Sequence, residues 1–273
     1  MKWMLAFLVL GLAVSPAFAD TVTDNFESYT LGTFPSPTWQ DVGTVFTPPG
    51  QTLPSAQVVQ TTDAFGNSTQ ALSILDQVTL SRGIFATVPV STTYTLAADI
   101  RVDRYSDHPP GLGTAENWAM QLTFAEAGVD NFAFTPQAGI YASSLTEGWR
   151  LFVIGGPGAD IDLGVPAAVG KWYKVELDFN ALSSTFHSRI IDAKTGAVLV
   201  DRFDTIAGLT PADAQYNSIA FFGGETSPDT QVADLAMVDN VNISSTPVPE
   251  PSSLALLGGG LGFIVSRAKR GRA

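Results

Sequence analysis

The stretch "TYTLAADIRVD", from Thr93 to Asp103, alternates apolar and polar side chains with a period of two. Its apolar members are Tyr94, Leu96, Ala98, Ile100 and Val102, and its polar members include Thr93, Thr95, Asp99, Arg101 and Asp103. Successive side chains of a β-strand point to opposite faces. The spacing therefore predicts a strand with one face toward a core and the other toward solvent.

The same alternation recurs in "NWAMQLTFAE" and "KWYKVELDFN", and no sustained 3.6-residue period predicts helix. Further strands are predicted at Ala71–Leu75, Gly83–Val88, Phe132–Ala142, Trp149–Ile154, Thr185–Asp192, Ala197–Phe203, Ser218–Phe222 and Val232–Ile243. The segment Ala193–Gly196 is predicted to be a hairpin loop, with Gly196 suited to a positive φ. Ten or more antiparallel strands in about 225 residues predict an all-β fold, an antiparallel jelly-roll β-sandwich.

The chain begins like an exported protein. One basic residue, Lys2, precedes an apolar run from Trp3 to Val14 and the small-residue site Ala17-Phe18-Ala19. This layout predicts a secretory signal peptide at residues 1–19, since the run is too short for a membrane anchor. The chain has 0 cysteines, so the core rather than disulfides must stabilise the exported domain.

The C-terminal end combines a Pro249-Glu250-Pro251 turn, an apolar run from Leu254 to Val265 and a basic end. The basic residues are Arg267, Lys269, Arg270 and Arg272. The run would be about 18 Å long as a helix, a marginal length for a membrane span. The basic residues would hold its end in the cytoplasm.

These residues resemble the PEP-CTERM sorting signal. The resemblance implies that exosortase, a membrane transpeptidase, removes the tail after the short helix has anchored it transiently in the inner membrane. It also implies a Gram-negative bacterium and a location at the cell surface or in the exopolysaccharide matrix. The expected organisation is a signal peptide at 1–19, a β-sandwich domain at 20–246 and a sorting signal at 247–273.

Formal net charge is −12, and four of the 14 basic residues lie in the tail. So acidic a surface disfavours nucleic acid and anionic lipid as partners. It is compatible with neutral glycans and divalent cations, although acidity can also serve solubility alone.

Three segments of the middle region resemble the concanavalin A-like lectin/glucanase superfamily, which includes laminin-G-like domains. They are "DNFESY" (Asp24–Tyr29), "WYKVELDF" with "IIDAKTG", and "VDNVNIS" (Val238–Ser244). The resemblance implies two curved sheets whose first and last strands pair. It also implies sugar binding on the concave face or at the loops along one edge.

Catalysis is not expected. Glucanases of that superfamily carry Glu-x-Asp-x-Glu on a strand, whereas this chain has Glu176, Asp178 and Asn180 at those positions. An asparagine cannot protonate a leaving group. The two histidines, His108 and His187, have no neighbouring pattern of a triad or zinc site.

Trp172 is the candidate ligand-binding residue. It has the same parity as Lys174, Glu176 and Asp178, so alternation places an indole on a polar face. An exposed aromatic ring beside polar groups is suited to a sugar ring. The alternative is that another segment covers the indole.

Glu27 and Asp239 are the candidate metal ligands. Asp239 has the parity of Leu235, Met237, Val241 and Ile243, so alternation directs a carboxylate toward the apolar side. By the resemblance to related sandwiches, a structural calcium ion would lie there, held also by Glu27. The alternatives are a bulge that turns Asp239 outward, or an ion pair with a distant arginine.

Together these features predict an exported, non-enzymatic envelope or exopolysaccharide-matrix protein. The alternative is a dedicated carbohydrate-binding module near Trp172. A glycan-active enzyme is disfavoured by Asn180.

Overall fold

The structure is a computed structural model that describes ten parts of the chain. They are residues 20–41, 56–75, 82–87, 91–104, 117–125, 137–142, 150–154, 160–206, 218–224 and 235–247. The predictions for the signal peptide, His108, Pro249, Glu250, Pro251 and the C-terminal span lie outside these residues.

All the regular structure in the described residues is β-strand. The first eight strands are β1 (Asp20–Asp24), β2 (Trp39–Asp41), β3 (Gln57–Thr62), β4 (Ser68–Leu75), β5 (Arg82–Thr87), β6 (Ser91–Arg104), β7 (Asn117–Ala125) and β8 (Gln137–Ala142). The remaining strands are β9 (Arg150–Ile154), β10 (Asp160–Pro166), β11 (Tyr173–Asn180), β12 (Thr185–Asp192), β13 (Val198–Thr205), β14 (Ser218–Gly224) and β15 (Leu235–Pro247). No helix in these parts of the chain is long and apolar enough to cross a bilayer.

The strands form two antiparallel sheets. The first has the order β13-β12-β11-β6-β15-β4-β3, and β1 also pairs with β15. The second has the order β10-β9-β8-β7-β14-β5-β2. The pairing of β1 with β15 confirms that the first and last strands are neighbours.

One apolar core joins the sheets. It contains fully buried side chains from both sheets: Leu96, Val175 and Leu177 from the first, and Leu122 and Val153 from the second. The burial of β11 alternates along its whole length, as the sequence period predicts. Polar residues of the first sheet consequently form its outer face.

The aromatic rings extend this core. Tyr94 and Phe124 have centroids 5.5 Å apart, and Phe179 lies 6.2 Å from each of them. These three rings come from β6, β7 and β11, so they connect the two sheets. Aromatic pairs in this range add to the free energy of folding beyond their buried area.

The hairpin between β12 and β13 confirms the turn prediction. The backbone N–H of Gly196 donates to the Asp192 carbonyl at 2.8 Å, and Gly196 has φ +71°. Glycine adopts this conformation without a Cβ penalty. Each predicted strand is confirmed in its described part, and residues 88, 132–136, 149 and 232–234 of these predictions lie outside the described residues. The strands β1, β2, β3 and β10 were not predicted.

Candidate functional site

Asp24 organises the segment that follows β1. Its Oδ1 accepts the Phe26 backbone N–H at 2.8 Å. Its Oδ2 accepts the Tyr29 hydroxyl at 2.8 Å and the Trp39 indole N–H at 2.7 Å. One carboxylate therefore fixes the loop and positions the fully buried Phe26 against the core.

The same loop brings Glu27 close to Asp239, the residue with which the resemblance associates it. The Thr69 hydroxyl oxygen lies 2.8 Å from Glu27 Oε1 and 3.3 Å from Asp239 Oδ2. The backbone N–H of Gln70 donates to the same Glu27 oxygen at 2.8 Å. Because a hydroxyl has one proton, Thr69 cannot donate to both carboxylates at once.

A β-bulge decides where Asp239 points. Asp239 pairs with Asp99, but the register then shifts by one residue before Asn242. Val238 before the bulge and Val241 after it both face the core. The prediction that Asp239 points to the apolar side is therefore wrong, because the extra residue changes the parity. Of the alternatives, the structure contains the bulge.

Asp239 is nevertheless only 2% exposed. Burial raises its pKa to about 7, and the nearby charges of Asp99 and Glu27 add to the effect. The backbone N–H of Asn240 donates to Asp239 Oδ1 at 2.7 Å and acts in the opposite direction. A buried carboxylate beside two others is costly unless a proton or a cation neutralises it.

Asp99 belongs to the same cluster. Burial raises its pKa as well, partly offset by the Asn240 side-chain amide, which donates to it at 2.8 Å. Asn240 adopts φ +50°, a backbone conformation that non-glycine residues rarely take. The strained residue at the bulge thus serves both carboxylates.

Two backbone carbonyl oxygens of the loop after β1 face Gln70. The Gln70 side-chain amide lies 3.2 Å from the Phe26 carbonyl and 3.1 Å from the Tyr29 carbonyl, and its NH₂ group satisfies both when it faces them. Within the described residues, no group of three or more His, Cys, Asp or Glu side chains has a metal-holding arrangement. A cation at this junction would therefore need carbonyl oxygens or water in addition to Glu27 and Asp239.

Trp172 lies on the outer face, but it is covered. The side chain is 4% exposed and packs with Ala71 and Met237. Its indole N–H donates to the Thr62 carbonyl at 2.8 Å, and the Arg101 guanidinium lies 4.7 Å from the ring centroid. The prediction of an exposed indole is therefore wrong, and the alternative that another segment covers Trp172 is confirmed.

A pocket of about 290 Å³ opens beside this indole. Its lining combines aromatic, basic and acidic groups: Thr62, Asp63, Ala64, Arg101, Gly170, Lys171, Trp172, Asp192 and Lys194. The Lys171 ammonium lies 2.9 Å from the Asp192 carboxylate and lowers its pKa to about 2. Lys194 is exposed and has no ion-pair partner among the described residues.

The residues compared above with the glucanase motif make structural contacts. Glu176 accepts from Arg189 at 2.8 Å and pairs with Lys174 at the same distance. The Asn180 side-chain oxygen accepts the backbone N–H groups of Leu182 and Ser183. Asn180 therefore stabilises the turn after β11.

Two exposed aromatic residues were missed. Phe203 is 76% exposed within β13, and Phe65 is 69% exposed in the turn between β3 and β4. Phe203 could have been found by parity, because it shares the parity of Asp201 and Thr205 and therefore their polar face.

The family match covers only the C-terminal tail of the chain. Residues 247–270 match the PEP-CTERM protein-sorting motif. No curated protein sequence matches the chain.

Several solved structures are similar in fold. Basic winged bean lectin, determined with Tn-antigen, is 7% identical with a TM-score of 0.50, over 83% of this chain and 98% of the lectin. Peanut lectin, determined with a 9mer peptide, is 12% identical with a TM-score of 0.50, over 84% of this chain and 99% of the lectin. A sialidase is 15% identical with a TM-score of 0.46, over 77% of this chain, which spans 17% of the sialidase. The described residues form an all-β sandwich with the fold of these lectins, and a PEP-CTERM sorting motif begins where β15 ends.

Proposed function

We propose that the protein is an exported, non-enzymatic component of the cell envelope or exopolysaccharide matrix, released from its tail by exosortase. The observation that carries the proposal is the sorting motif at residues 247–270. It begins where β15 ends, at Pro247, so cleavage near the Pro249-Glu250-Pro251 turn removes none of the fifteen described strands. The mature domain would extend from Asp20 to the cleavage site.

Intact-mass measurement of the exported protein tests this proposal. We expect an N-terminus at Asp20 and a C-terminus near Val248–Pro251. Replacement of Pro249, Glu250 and Pro251 by alanine should retain the uncleaved chain in the membrane fraction. A chain that ends at Ala273 and accumulates outside the cell would refute processing by exosortase.

Carbohydrate binding is the second candidate function, and the pocket beside Trp172 favours it. A saccharide unit could contact the accessible edge of the Trp172 ring while Lys194 and Asp63 engage its hydroxyl groups. Both polar groups line the pocket together with Trp172, and directed polar contacts fix the orientation of a ligand in small-molecule sites. The lectin-like fold supports this function but does not identify a ligand.

Affinity electrophoresis through soluble polysaccharides tests the pocket. Lys194→Ala should reduce retardation, while Lys174→Ala, an exposed lysine of β11 outside the pocket lining, serves as the matched control. Trp172→Ala is a poor probe because a buried tryptophan also supports the fold. Equal retardation of the wild type and Lys194→Ala would argue against the pocket as the binding site.

The junction of the chain ends fits a structural calcium ion. Glu27 and Asp239 lie on either side of one hydroxyl, and Asp239 has no described cation that neutralises it. Calcium binds six to eight oxygen ligands, so backbone carbonyl groups or water molecules would have to complete the set. Its contribution would be to neutralise buried carboxylates and join the loop after β1 to β15.

Thermal unfolding with calcium and with chelator tests the ion. A bound ion should raise the midpoint in proportion to the logarithm of its concentration above the Kd. Identical midpoints with saturating calcium and with chelator would eliminate the site.

A further inference from the structure

Phe203 is exposed in an unusual position. The other large hydrophobic side chains that are exposed among the described residues lie in turns, loops or at the start of a strand: Leu31, Phe65, Val169, Leu182 and Val198. Phe203 lies inside β13 and is 76% exposed. Its backbone is fixed by the pairing of β13 with β12, in which Phe203 faces His187.

The ring of Phe203 is held by a stacked neighbour. The His187 ring lies parallel to it, with centroids 4.0 Å apart and an angle of 7° between the planes. His187 Nε2 is 2.6 Å from Asp201 Oδ1, which fixes the imidazole. The imidazole therefore covers one face of the phenyl ring, and the exposed area belongs to the rest of the side chain.

Hydrogen-bond acceptors flank the stacked pair. Asp178 pairs with His187 across β11 and β12, and its carboxylate lies 3.8 Å from His187 Nδ1. The side chains of Asp178 and Asp201 are each 54% exposed. Both can accept hydrogen bonds from hydroxyl groups, and both disfavour an approaching anion.

We propose that Phe203, supported by His187, binds an uncharged pyranose ring of a polysaccharide, with Asp178 and Asp201 accepting its hydroxyl groups. The C–H face of a pyranose can pack on an aromatic ring while its hydroxyl groups bond to neighbouring carboxylates. The inference rests on the proposed function only in taking a polysaccharide as the ligand.

A protein partner fits this surface less well. The residues on the same face around the stacked pair are polar: Glu176, Asp178, Arg189 and Asp201 are charged, and Thr185 and Thr205 carry hydroxyl groups. The centre of a protein interface is typically depleted of charged groups. A single ring among hydrogen-bonding groups is better matched to a sugar.

The surface is separate from the pocket beside Trp172. Asp178 follows Trp172 by six residues along an extended strand, a separation of about 20 Å. Two contacts at this distance could bind one chain at two points and thereby increase its avidity. They can also be inactivated one at a time.

Affinity electrophoresis of the β-sandwich protein tests the proposal. The uncharged probes are laminarin, dextran and galactomannan, and alginate is the anionic comparison. We expect Phe203→Ala to weaken binding to at least one uncharged probe by about tenfold, equivalent to ~1.4 kcal/mol. Phe203→Tyr should retain binding, and Leu182→Ala, an exposed apolar side chain in the turn after β11, should change nothing.

The outcomes separate this surface from the pocket. A loss with Phe203→Ala but not with Lys194→Ala supports the Phe203 surface even where the proposed pocket fails. Thermal unfolding should show that Phe203→Ala folds normally, since the side chain is mostly exposed. The proposal is overturned when the wild type and Phe203→Ala migrate alike on every uncharged probe. It is also overturned when Phe203→Ala instead abolishes a concentration-dependent self-association.

Discussion

Replacing Asp239 by asparagine removes a buried charge while it keeps the shape of the side chain. In the folded protein the pKa of Asp239 is about 7, whereas its ordinary value is 3.8. The folded state therefore binds the proton more tightly than the unfolded state does. Stability that the protonated group provides below pH 4 is lost as the pH rises to about 7.

The magnitude follows from that interval. At ~1.4 kcal/mol per pH unit, the difference between the ordinary and the folded pKa corresponds to a loss of at most about 4 kcal/mol in the free energy of unfolding. Partial solvation and screening of the carboxylate reduce this value, and we expect about 2 kcal/mol. In chelator, Asp239→Asn should therefore be about 2 kcal/mol more stable than the wild type at pH 8 and equal to it near pH 4.

Calcium should reverse the sign of the stability difference between the wild type and Asp239→Asn. A bound cation favours the ionised carboxylate, so at 100 times the Kd it would stabilise the wild type by about 2.7 kcal/mol. The variant lacks one anionic ligand and should gain much less. Wild type and variant would thus exchange order of stability at pH 8 between chelator and calcium.

Urea unfolding at pH 4 and pH 8, with chelator or calcium, measures these differences. Asp178→Asn is the matched control, because this carboxylate is exposed and should change stability by no more than about 0.5 kcal/mol. A stability difference between the wild type and Asp239→Asn that does not vary with pH would refute the reasoning about burial. An equal response of both proteins to calcium would exclude Asp239 as its ligand.

Three further predictions concern the fold. A chain that stops at Pro247 should unfold at the same temperature as the full domain, measured by circular dichroism, since it keeps every described strand. Asp24→Ala should lower the free energy of unfolding by about 2–4 kcal/mol in urea, because it leaves the Trp39 indole N–H and the Tyr29 hydroxyl without their acceptor. Leu177→Ala should cost about 2–5 kcal/mol in the same assay, because it opens a cavity between the sheets. No effect of Leu177→Ala would contradict the core assignment, and no effect of Asp24→Ala would contradict the role given to its hydrogen bonds.

The fold class could be predicted because its signal is local. Alternation along β6 and β11 reflects one buried face and one solvated face, and each residue contributes to that signal independently. The strands β1 and β3 were missed because their polar composition conceals the period. β1, for example, reads Asp-Thr-Val-Thr-Asp and lies beside β15.

The candidate site was only partly predictable, because a β-bulge interrupts the alternation of buried and exposed side chains in β15 there. Parity holds as long as a strand is regular, and the extra residue after Asp239 gives the two parts of β15 opposite parity. Val241 and Ile243 after the bulge face the core as assigned, whereas Met237 before it does not. The proximity of Glu27 and Asp239 was nevertheless anticipated, because it depends on the pairing of the chain ends. The cover over Trp172 depends on Arg101 and Thr62, distant in sequence, so no local pattern could reveal it.

The pairing of Asp20 with Ser245 places the two ends of the domain next to each other. Antiparallel partners lie about 5 Å apart, so a short glycine linker could join the two ends. The same strands could then be opened elsewhere, for example in the turn at Gly196, and the circular permutant should still fold. A protein fused after Pro247 would consequently be attached beside the N-terminus of the domain.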